Sequence, residues 1–288
     1  MSFVDKVEKI RALVASAPPE KRLAALKLFL SEEDEETARL LEFMVLTGAP
    51  VSAEPKHFIV LIHGIRTNAE WQQHLEHELR KHSDIEIVPT SYGVLPTWKF
   101  LYPVFTRTKP VLELERELRT IRADNPAANI SILAHSFGTY VVSRILQRNP
   151  TIRIHRLQLC GSIIREKYRW DRVKHMVTGK LIVNDVGTRD NWPVLAKHAT
   201  VGYGDSGRFG FKTYGVRDNW HDLDHSGFFS EEHMKKFWVP FLIDGQIVSS
   251  DWATKIPKAS FFIKAVRIFW PMFFSLAALY VFWKFFLS

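Results

Sequence analysis

An alternation of apolar runs with amphipathic stretches begins at residue 57, and it constrains the fold more than any other feature of the sequence. Five runs rich in β-branched residues have the length and composition of strands, at residues 58–62, 85–88, 130–133, 154–159 and 181–186. Helical periodicity occupies intervals near residues 68–81, 110–123 and 137–147. Strands that are buried on both faces read as continuous apolar runs, so the pattern predicts an α/β fold with a mostly parallel sheet and helices on both faces.

The first fifty residues show helical spacing instead, interrupted at Pro18-Pro19. A second helix is predicted at residues 20–30. Ser31, with Asp34 three residues later, resembles a capping box that opens a third helix. The sequence therefore predicts an N-terminal helical region at residues 1–50. We interpret it as a helical hairpin that packs on the main domain, and oligomerisation through these helices is the alternative.

The C-terminal residues 260–288 form a third region. Residues 268–283 carry no charge, and counting on to Leu287 gives twenty residues, about the length that spans a bilayer. All five charged residues after Asp251 are positive, and most of them precede the apolar run. Because positive flanks stay on the cytoplasmic side, the sequence predicts a single-pass tail anchor with a cytoplasmic main domain. A helix that lies on the membrane, or is buried in the protein, is the alternative.

A short motif follows the third apolar run directly. Residues 134–138 read Ala-His-Ser-Phe-Gly, and helical periodicity begins at once after Ser136. The motif matches G-x-S-x-G, the strand-to-helix turn that exposes a nucleophilic serine, except that Ala134 replaces the first glycine. Alanine is small enough to keep strand and helix close together. The motif therefore predicts that Ser136 is a nucleophile.

A serine nucleophile needs a general base, an acid that orients the base, and N–H donors for the oxyanion. His63-Gly64 follows the first apolar run, where a glycine permits a sharp turn at the strand end. The turn would direct the N–H of Ile65 into the cleft. The N–H of Phe137, just after the nucleophile, is the second predicted donor.

Together these motifs resemble the α/β-hydrolase superfamily, in particular its serine esterases and lipases, over about residues 56–240. The resemblance implies a catalytic domain at residues 56–248 and the chain order Ser, then Asp or Glu, then His. Asp190 is the predicted acid because it follows the strand-end Gly187 within a loop. Asp185 is the alternative, but it lies within the predicted strand.

Twelve histidines compete for the role of the base. The resemblance places the base on a loop before the last helix of the domain, and His225 lies there, 35 residues after Asp190. His221 is a weaker alternative. His135 is too close to Ser136 in sequence to serve as the base, and it is expected to line the wall below the turn.

These residues predict a membrane-anchored serine hydrolase that cleaves carboxylic esters, such as lipid or other acyl esters, through an acyl-enzyme. The alternatives are a catalytically degenerate scaffold or sensor of the same fold at the membrane, and a thioesterase or amidase. No cofactor is expected. A metal site at the cluster of His221, Asp222, Asp224 and His225 is not expected either, since the chain lacks HExxH and has one cysteine. No nucleic-acid-binding motif occurs, so the formal charge of +8 does not predict a nucleic-acid partner.

Overall fold

Six strands form one sheet in the described part of the chain, in the order β2-β1-β3-β4-β5-β6, and every neighbouring pair is parallel. The computed structural model describes residues 3–48, 55–64, 70–82, 85–90 and 107–252, together with residues 261, 265 and 269. The strands are β1 (His57–Ile62), β2 (Ile85–Pro89), β3 (Asn129–His135), β4 (Ile154–Cys160), β5 (Val177–Gly187) and β6 (Arg217–His221).

This sheet confirms the predicted fold class, an α/β fold with a parallel sheet and helices on both faces. Each of the five predicted strands is present, with its ends extended by up to four residues. Strand β6 was not predicted, because Arg-Asp-Asn-Trp-His contains no apolar run. Its inward residues Asn219 and His221 are buried polar groups. Asn219 donates from Nδ2 to Val248 O at 3.1 Å and accepts from Ser250 N at 3.3 Å, so the segment after residue 247 covers the outer edge of β6.

The helices of the described residues follow in chain order. They are α1 (Phe3–Ser16), α2 (Arg22–Leu30), α3 (Glu35–Thr47), α4 (Glu70–Leu79), α5 (Thr108–Asp124), α6 (Phe137–Arg148), α7 (Trp170–Val173), α8 (Trp192–Ala199) and α9 (Ser206–Phe209). A last helical stretch, α10, consists of Glu231–His233, the π-helical turn Met234–Trp238 and Val239–Asp244.

Strand β1 shows how the helices cover both faces of the sheet. Phe58, Val60 and Ile62 belong to one buried apolar cluster, together with side chains of α5 and α6. Ile59 and Leu61 belong to a second cluster, with side chains of α4 and α10. Successive side chains of a strand point to opposite faces, so the sheet separates two apolar layers. The carboxyl ends of the strands then meet at one edge, where ligands bind in open α/β sheets.

The N-terminal region, Met1–Lys56, is a compact unit distinct from His57–Ser288. Its three helices enclose a small apolar core of Val7, Ile10, Leu26 and Leu41. The predicted capping box at Ser31 is wrong, because Ser31 is the C-cap of α2. Asp34 has an extended backbone instead and accepts from Thr37 N at 3.0 Å, so it caps α3.

The predicted tail at residues 260–288 lies outside the described residues, apart from residues 261, 265 and 269. Among the helices that the structure describes, none combines the length and the apolar character needed to cross a membrane.

Candidate active site

Ser136 stands at a sharp turn between β3 and α6. The strand ends at His135 and the helix begins at Phe137, so a single residue makes the connection. Its backbone has φ 53° and ψ −117°, a conformation that residues with a side chain rarely adopt. Such strain persists only where the surrounding structure imposes it, and it occurs preferentially at functional sites. The turn presents Ser136, which is partly exposed, at the carboxyl edge of the sheet.

Two glycines make the turn possible by letting backbones approach closely. A Cβ at Gly138 would lie 2.7 Å from Ile62 Cγ2 and 2.8 Å from Ile62 O, closer than real Cβ atoms come. A Cβ at Gly64 would lie 2.8 Å from Ser136 Cβ. Ala134, at the position of the missing first glycine, is fully buried between its neighbours on β1 and β4. The replacement of glycine by alanine is therefore compatible with the turn.

Hydrogen bonds hold the turn from two sides. Ser136 N donates to Cys160 O, at the end of β4, at 3.0 Å. Ser136 O accepts from Thr139 N at 3.0 Å and from Thr139 Oγ1 at 2.6 Å. Cys160 is itself buried, and burial raises the pKa of its thiol well above the usual value, so it is not a competing nucleophile.

Asp190 and His225 meet on two loops at the same edge of the sheet. His225 Nδ1 lies 2.8 Å from Asp190 Oδ2, and the carboxylate is fully buried. Asp190 Oδ1 also accepts from Trp192 N at 3.0 Å, so both carboxylate oxygens are engaged. Since a carboxylate only accepts, Nδ1 carries the proton, and in the neutral ring Nε2 keeps its lone pair. This is the tautomer that a general base needs.

The loops that carry this pair are joined by backbone hydrogen bonds. Thr188 N donates to His221 O at 2.8 Å, and Arg189 N donates to Leu223 O at 3.0 Å. The side chain of Arg189 pairs with Asp222 and not with Asp190. Among the described residues, no lysine or arginine forms an ion pair with the Asp190 carboxylate, although the charge of Arg208 interacts with it. Backbone hydrogen bonds hold the loop that positions Asp190.

His135 lies between the turn and His225. Its ring packs against the ring of His225, with centroids 4.5 Å apart, and its Nε2 donates to His225 O at 3.1 Å. Complete burial, together with the nearby charge of His225, lowers the pKa of His135 well below its usual value. His135 therefore stays neutral. It packs against His225 and binds its backbone carbonyl, which agrees with the prediction that His135 lines the site and is not the base.

Ser136 Oγ and His225 Nε2 are not hydrogen-bonded to each other in the described structure. Both residues nevertheless lie beside His135, which places them close together. A Cβ at Gly64 would lie 3.2 Å from Ser136 Oγ and 3.3 Å from His135 Nδ1, and the His135 ring packs on His225. Catalytic hydrogen bonds are often long in ligand-free enzymes and tighten when substrate binds. The structure thus brings Ser136, Asp190 and His225 to one edge, while their catalytic roles stay a prediction.

Of the two predicted oxyanion donors, only Phe137 lies within the described residues. It is the first residue of α6, so its N–H belongs to the positive end of the helix dipole. Ile65 lies outside the described residues. His63 Nδ1 lies 2.6 Å from Gly64 O, so His63 supports the turn after β1.

Asp185, the alternative acid, belongs to a different cluster inside the domain. Its Oδ1 lies 3.1 Å from His221 Nε2, and its Oδ2 lies 3.1 Å from His233 Nε2 and accepts from Trp238 Nε1 at 2.8 Å. All three acidic and imidazole side chains are almost completely buried. His221, the alternative base, is thereby directed to Asp185. This cluster joins β5, β6 and α10, and sequence reasoning did not find it because His233 and Trp238 are distant in the chain.

The same cluster contains the metal-ligating residue types. Ligand atoms of Asp185, His221 and His233 lie within 4.8 Å of one another. However, Trp238 Nε1 can only donate, and it already occupies Asp185 Oδ2. The carboxylate is therefore fully satisfied by N–H groups, and we interpret the cluster as a buried hydrogen-bond network. The residues His221, Asp222, Asp224 and His225 do not converge on one point, since each bonds a different partner.

We expect Asp185→Asn to destabilise the fold by about 1.5–3 kcal/mol at neutral pH, because an amide cannot accept from donors on both sides. Burial alone would raise the pKa of Asp185, but the charges and hydrogen bonds of His221 and His233 outweigh it and lower that pKa. The stability that ionised Asp185 contributes is therefore fully present above the pKa of an aspartate in the unfolded chain, about 3.9. This stability is lost as the pH falls below that value. Denaturant unfolding between pH 7 and pH 2 measures the difference between variant and wild type, which should shrink at acid pH.

The control for this substitution is Asp124→Asn, at the exposed end of α5, for which a change below about 0.5 kcal/mol is expected. An Asp185→Asn chain with wild-type stability at pH 7, or a difference that grows as the pH falls, would contradict the network interpretation.

Comparison of the fold with solved structures finds an architectural likeness at low identity. A cutinase-like protein from Cryptococcus sp. is 13% identical, with a TM-score of 0.44, over 70% of this chain and 100% of that chain. An esterase from Pyrococcus furiosus is 15% identical, with a TM-score of 0.41, over 66% and 83% of the two chains. An alpha-beta serine hydrolase homologue from Coxiella burnetii is 11% identical, with a TM-score of 0.40, over 67% and 85%.

No protein-family model and no curated protein matches the chain. The likenesses to solved structures are too remote to bear on activity, so the chemistry has to be judged on this chain's own side chains.

Proposed function

We propose that this protein is a serine hydrolase that cleaves carboxylic esters through an acyl-enzyme. The observation that carries the proposal is the strained turn at Ser136 beside the buried Asp190–His225 pair. The positive φ of Ser136, in a turn made possible by Gly64 and Gly138, has no evident structural benefit. Such a backbone conformation costs about 1–3 kcal/mol of folding free energy. That cost is understandable when the serine has to project as a nucleophile.

In the proposed mechanism, His225 Nε2 takes the proton of Ser136 Oγ as the oxygen attacks the ester carbonyl. Asp190 stabilises the imidazolium that forms and keeps the proton of Nδ1 in place. The imidazolium then protonates the leaving alcohol. Water, activated by the same imidazole, releases the acid and regenerates the serine.

The negative charge of the tetrahedral intermediate needs donors that are already in place. The first turn of α6 supplies the N–H of Phe137 and the positive end of the helix dipole. Ile65, after the Gly64 turn, is proposed as the second donor on its sequence position alone. Neutral His135 beneath His225 helps the pair because it cannot compete for the proton.

Labelling with a fluorophosphonate tests the proposal directly, since this reagent phosphonylates activated serines. The intact chain is expected to be labelled, and Ser136→Ala is expected to take no label. Ser249→Ala removes a serine that accepts from the exposed Arg217, remote from the turn, and should label like wild type. An intact, folded protein that takes no label, or a Ser136→Ala chain that labels fully, would overturn the proposal.

We also propose that residues 260–288 anchor the protein to a membrane. The support is the uncharged stretch of residues 268–283 with its basic flank. Flotation of the full chain with phospholipid vesicles is expected, and Leu276→Arg with Leu279→Arg is expected to leave the protein in the dense fraction. Two arginines at the middle of an apolar span each cost about 2.5–3.5 kcal/mol of insertion free energy. Equal flotation of both chains would contradict the anchor.

A further inference from the structure

A basic cleft lies beside α6, and nothing in the proposed chemistry uses it. Its volume is about 1080 Å³, at the upper end of small-molecule sites. One face of α6 forms a wall through Tyr140, Ser143, Arg144 and Gln147, which follow one another at helical spacing. Residues 164–169 and residues 201–204 also line the cleft.

The lining is strongly positive. Seven arginine and lysine side chains face one carboxylate, that of Glu166, which accepts from Lys212 at 2.8 Å. Arg169 and Lys197 each form an ion pair with an aspartate. Arg107 is buried and donates to Thr200 Oγ1 and Val201 O, so it has a structural role.

Four cations of the cleft form no ion pair with any residue that the structure describes. They are Arg144, Arg165, Lys167 and Arg172. Like charges concentrated in a concave site raise the local potential and attract anions. Such a concentration of positive charge in a cleft favours a negatively charged ligand.

The segment of residues 164–170 carries several of the cations that line the cleft. Between Ile164 and Trp170 the side chains alternate between buried and exposed positions. Tyr168 is buried and donates from its hydroxyl to Ser143 O at 2.9 Å, which ties the segment to α6. Tyr168 N also donates to Arg165 O at 2.9 Å, so the chain makes a tight turn at residues 165–168. Arg165 and Lys167 are exposed and line the cleft.

The cleft is connected to the turn at Ser136. Ile163 N donates to Thr139 Oγ1 at 3.2 Å, and that hydroxyl donates to Ser136 O at 2.6 Å. Arg165 therefore follows, by two residues, a backbone group that is held to the first turn of α6. Arg144 lies eight residues along α6 from Ser136, an axial distance of about 12 Å at about 1.5 Å per residue.

We infer that this cleft binds a phosphate group of the substrate, so that the preferred substrate is an acyl ester of a phosphorylated alcohol. The inference rests on the proposed function, since it assigns the ester to Ser136 and the phosphate to the cleft. Guanidinium groups bind phosphate through two parallel N–H···O hydrogen bonds, which favours Arg165, Arg172 and Arg144 as phosphate ligands. The phosphate takes no part in bond breaking.

A matched pair of esters tests the inference with the full-length protein. The substrates are 1-octanoylglycerol 3-phosphate and 1-octanoylglycerol, both below their micellar concentrations, which differ only in the phosphate. Wild type is expected to prefer the phosphate ester at low salt, chiefly through a lower KM, and to lose that preference as salt screens the charges. In Arg165→Gln/Arg172→Gln the ratio of kcat/KM for the two esters is expected to fall about a hundredfold, roughly tenfold for each arginine.

The control is Arg119→Gln/Arg148→Gln, which removes two exposed arginines that do not line the cleft and changes the net charge equally. It should keep the wild-type ratio. An Arg165→Gln/Arg172→Gln chain with an unchanged ratio, or a wild type that hydrolyses the neutral ester equally well at low salt, would overturn the inference.

Binding to the Ser136→Ala chain separates this inference from the proposed function. Calorimetry with 1-octanoylglycerol 3-phosphate should give binding that Arg165→Gln/Arg172→Gln weakens, while 1-octanoylglycerol binds more weakly in both. Binding of the phosphate ester without any hydrolysis by wild type would support the cleft and overturn the hydrolase. Hydrolysis of the neutral ester, with binding that Arg165→Gln/Arg172→Gln does not weaken, would support the hydrolase and overturn the phosphate site. Inorganic phosphate that binds as tightly as the ester would overturn the substrate assignment.

Discussion

Replacing Ser136 by alanine is expected to lower kcat/KM for a short-chain p-nitrophenyl ester by at least about 10⁴-fold. The loss follows from the mechanism, because neither of the two nearby groups among the described residues can replace the hydroxyl as the nucleophile. Cys160 is buried with a raised thiol pKa, and Thr139 Oγ1 is occupied by its hydrogen bond to Ser136 O. Steady-state rates on purified wild-type and variant chains measure the effect.

The melting temperature shows whether this loss is chemical or structural. Ser136 is partly exposed, and its hydroxyl is not needed for the hydrogen bonds of the turn, which use the backbone and Thr139. The variant should therefore unfold at about the temperature of wild type. Ser249→Ala provides the matched control and should keep its activity. An active Ser136→Ala chain would remove the basis of the whole mechanism.

Asp190→Asn should be almost as damaging, with kcat lower by about 10³–10⁴-fold and little change in KM. The amide can keep the geometry, but its NH₂ group favours the tautomer with the proton on His225 Nε2. That tautomer cannot accept the proton of Ser136. Stopped-time hydrolysis assays over a range of ester concentrations separate kcat from KM.

Asp185→Asn is the matched comparison, because Asp185 lies in β5 and Asp190 lies five residues later, in the loop that follows this strand. Its effect should fall on unfolding and not on kcat, provided that the assay temperature is well below the unfolding transition. An Asp190→Asn chain with near-normal kcat, alongside an Asp185→Asn chain that folds stably but is inactive, would exchange the roles of the two carboxylates. The values of kcat and the unfolding free energies of the two variants therefore show which aspartate is the catalytic acid.

The sheet was predictable because its central strands are buried on both sides and read as apolar runs. Strand β6 was not, because its burial depends on polar partners that come from a segment thirty residues later. The cap of α3 was misplaced for a similar reason. Ser31 and Asp34 both suit an N-cap, and only the backbone conformation, helical at Ser31 and extended at Asp34, decides between them.

In the candidate site, too, the features that depend on residues distant in the chain could not be predicted from the sequence. Sequence order and the strand-end glycine favoured Asp190 and His225, and the structure brings these two side chains to 2.8 Å. The sequence did not predict that both carboxylate oxygens of Asp185 are hydrogen-bonded, to His221, His233 and Trp238. The basic cleft could not be predicted either, because its cations come from the N-cap of α5, from α6, from residues 165–169, from α7 and from α8, and only the fold assembles them.

The segment that covers β6 has a practical consequence for any shortened form of the protein. Ser250 donates from its hydroxyl to Trp220 O, and Asn219 is bonded to Val248 and to Ser250 on either side. A chain that ended before residue 248 would uncover a strand edge ready to pair with another copy, and uncovered edges promote aggregation. Removal of the apolar C-terminal region should therefore leave Trp252 in place, and insolubility of a shorter chain would report on edge pairing and not on lipid.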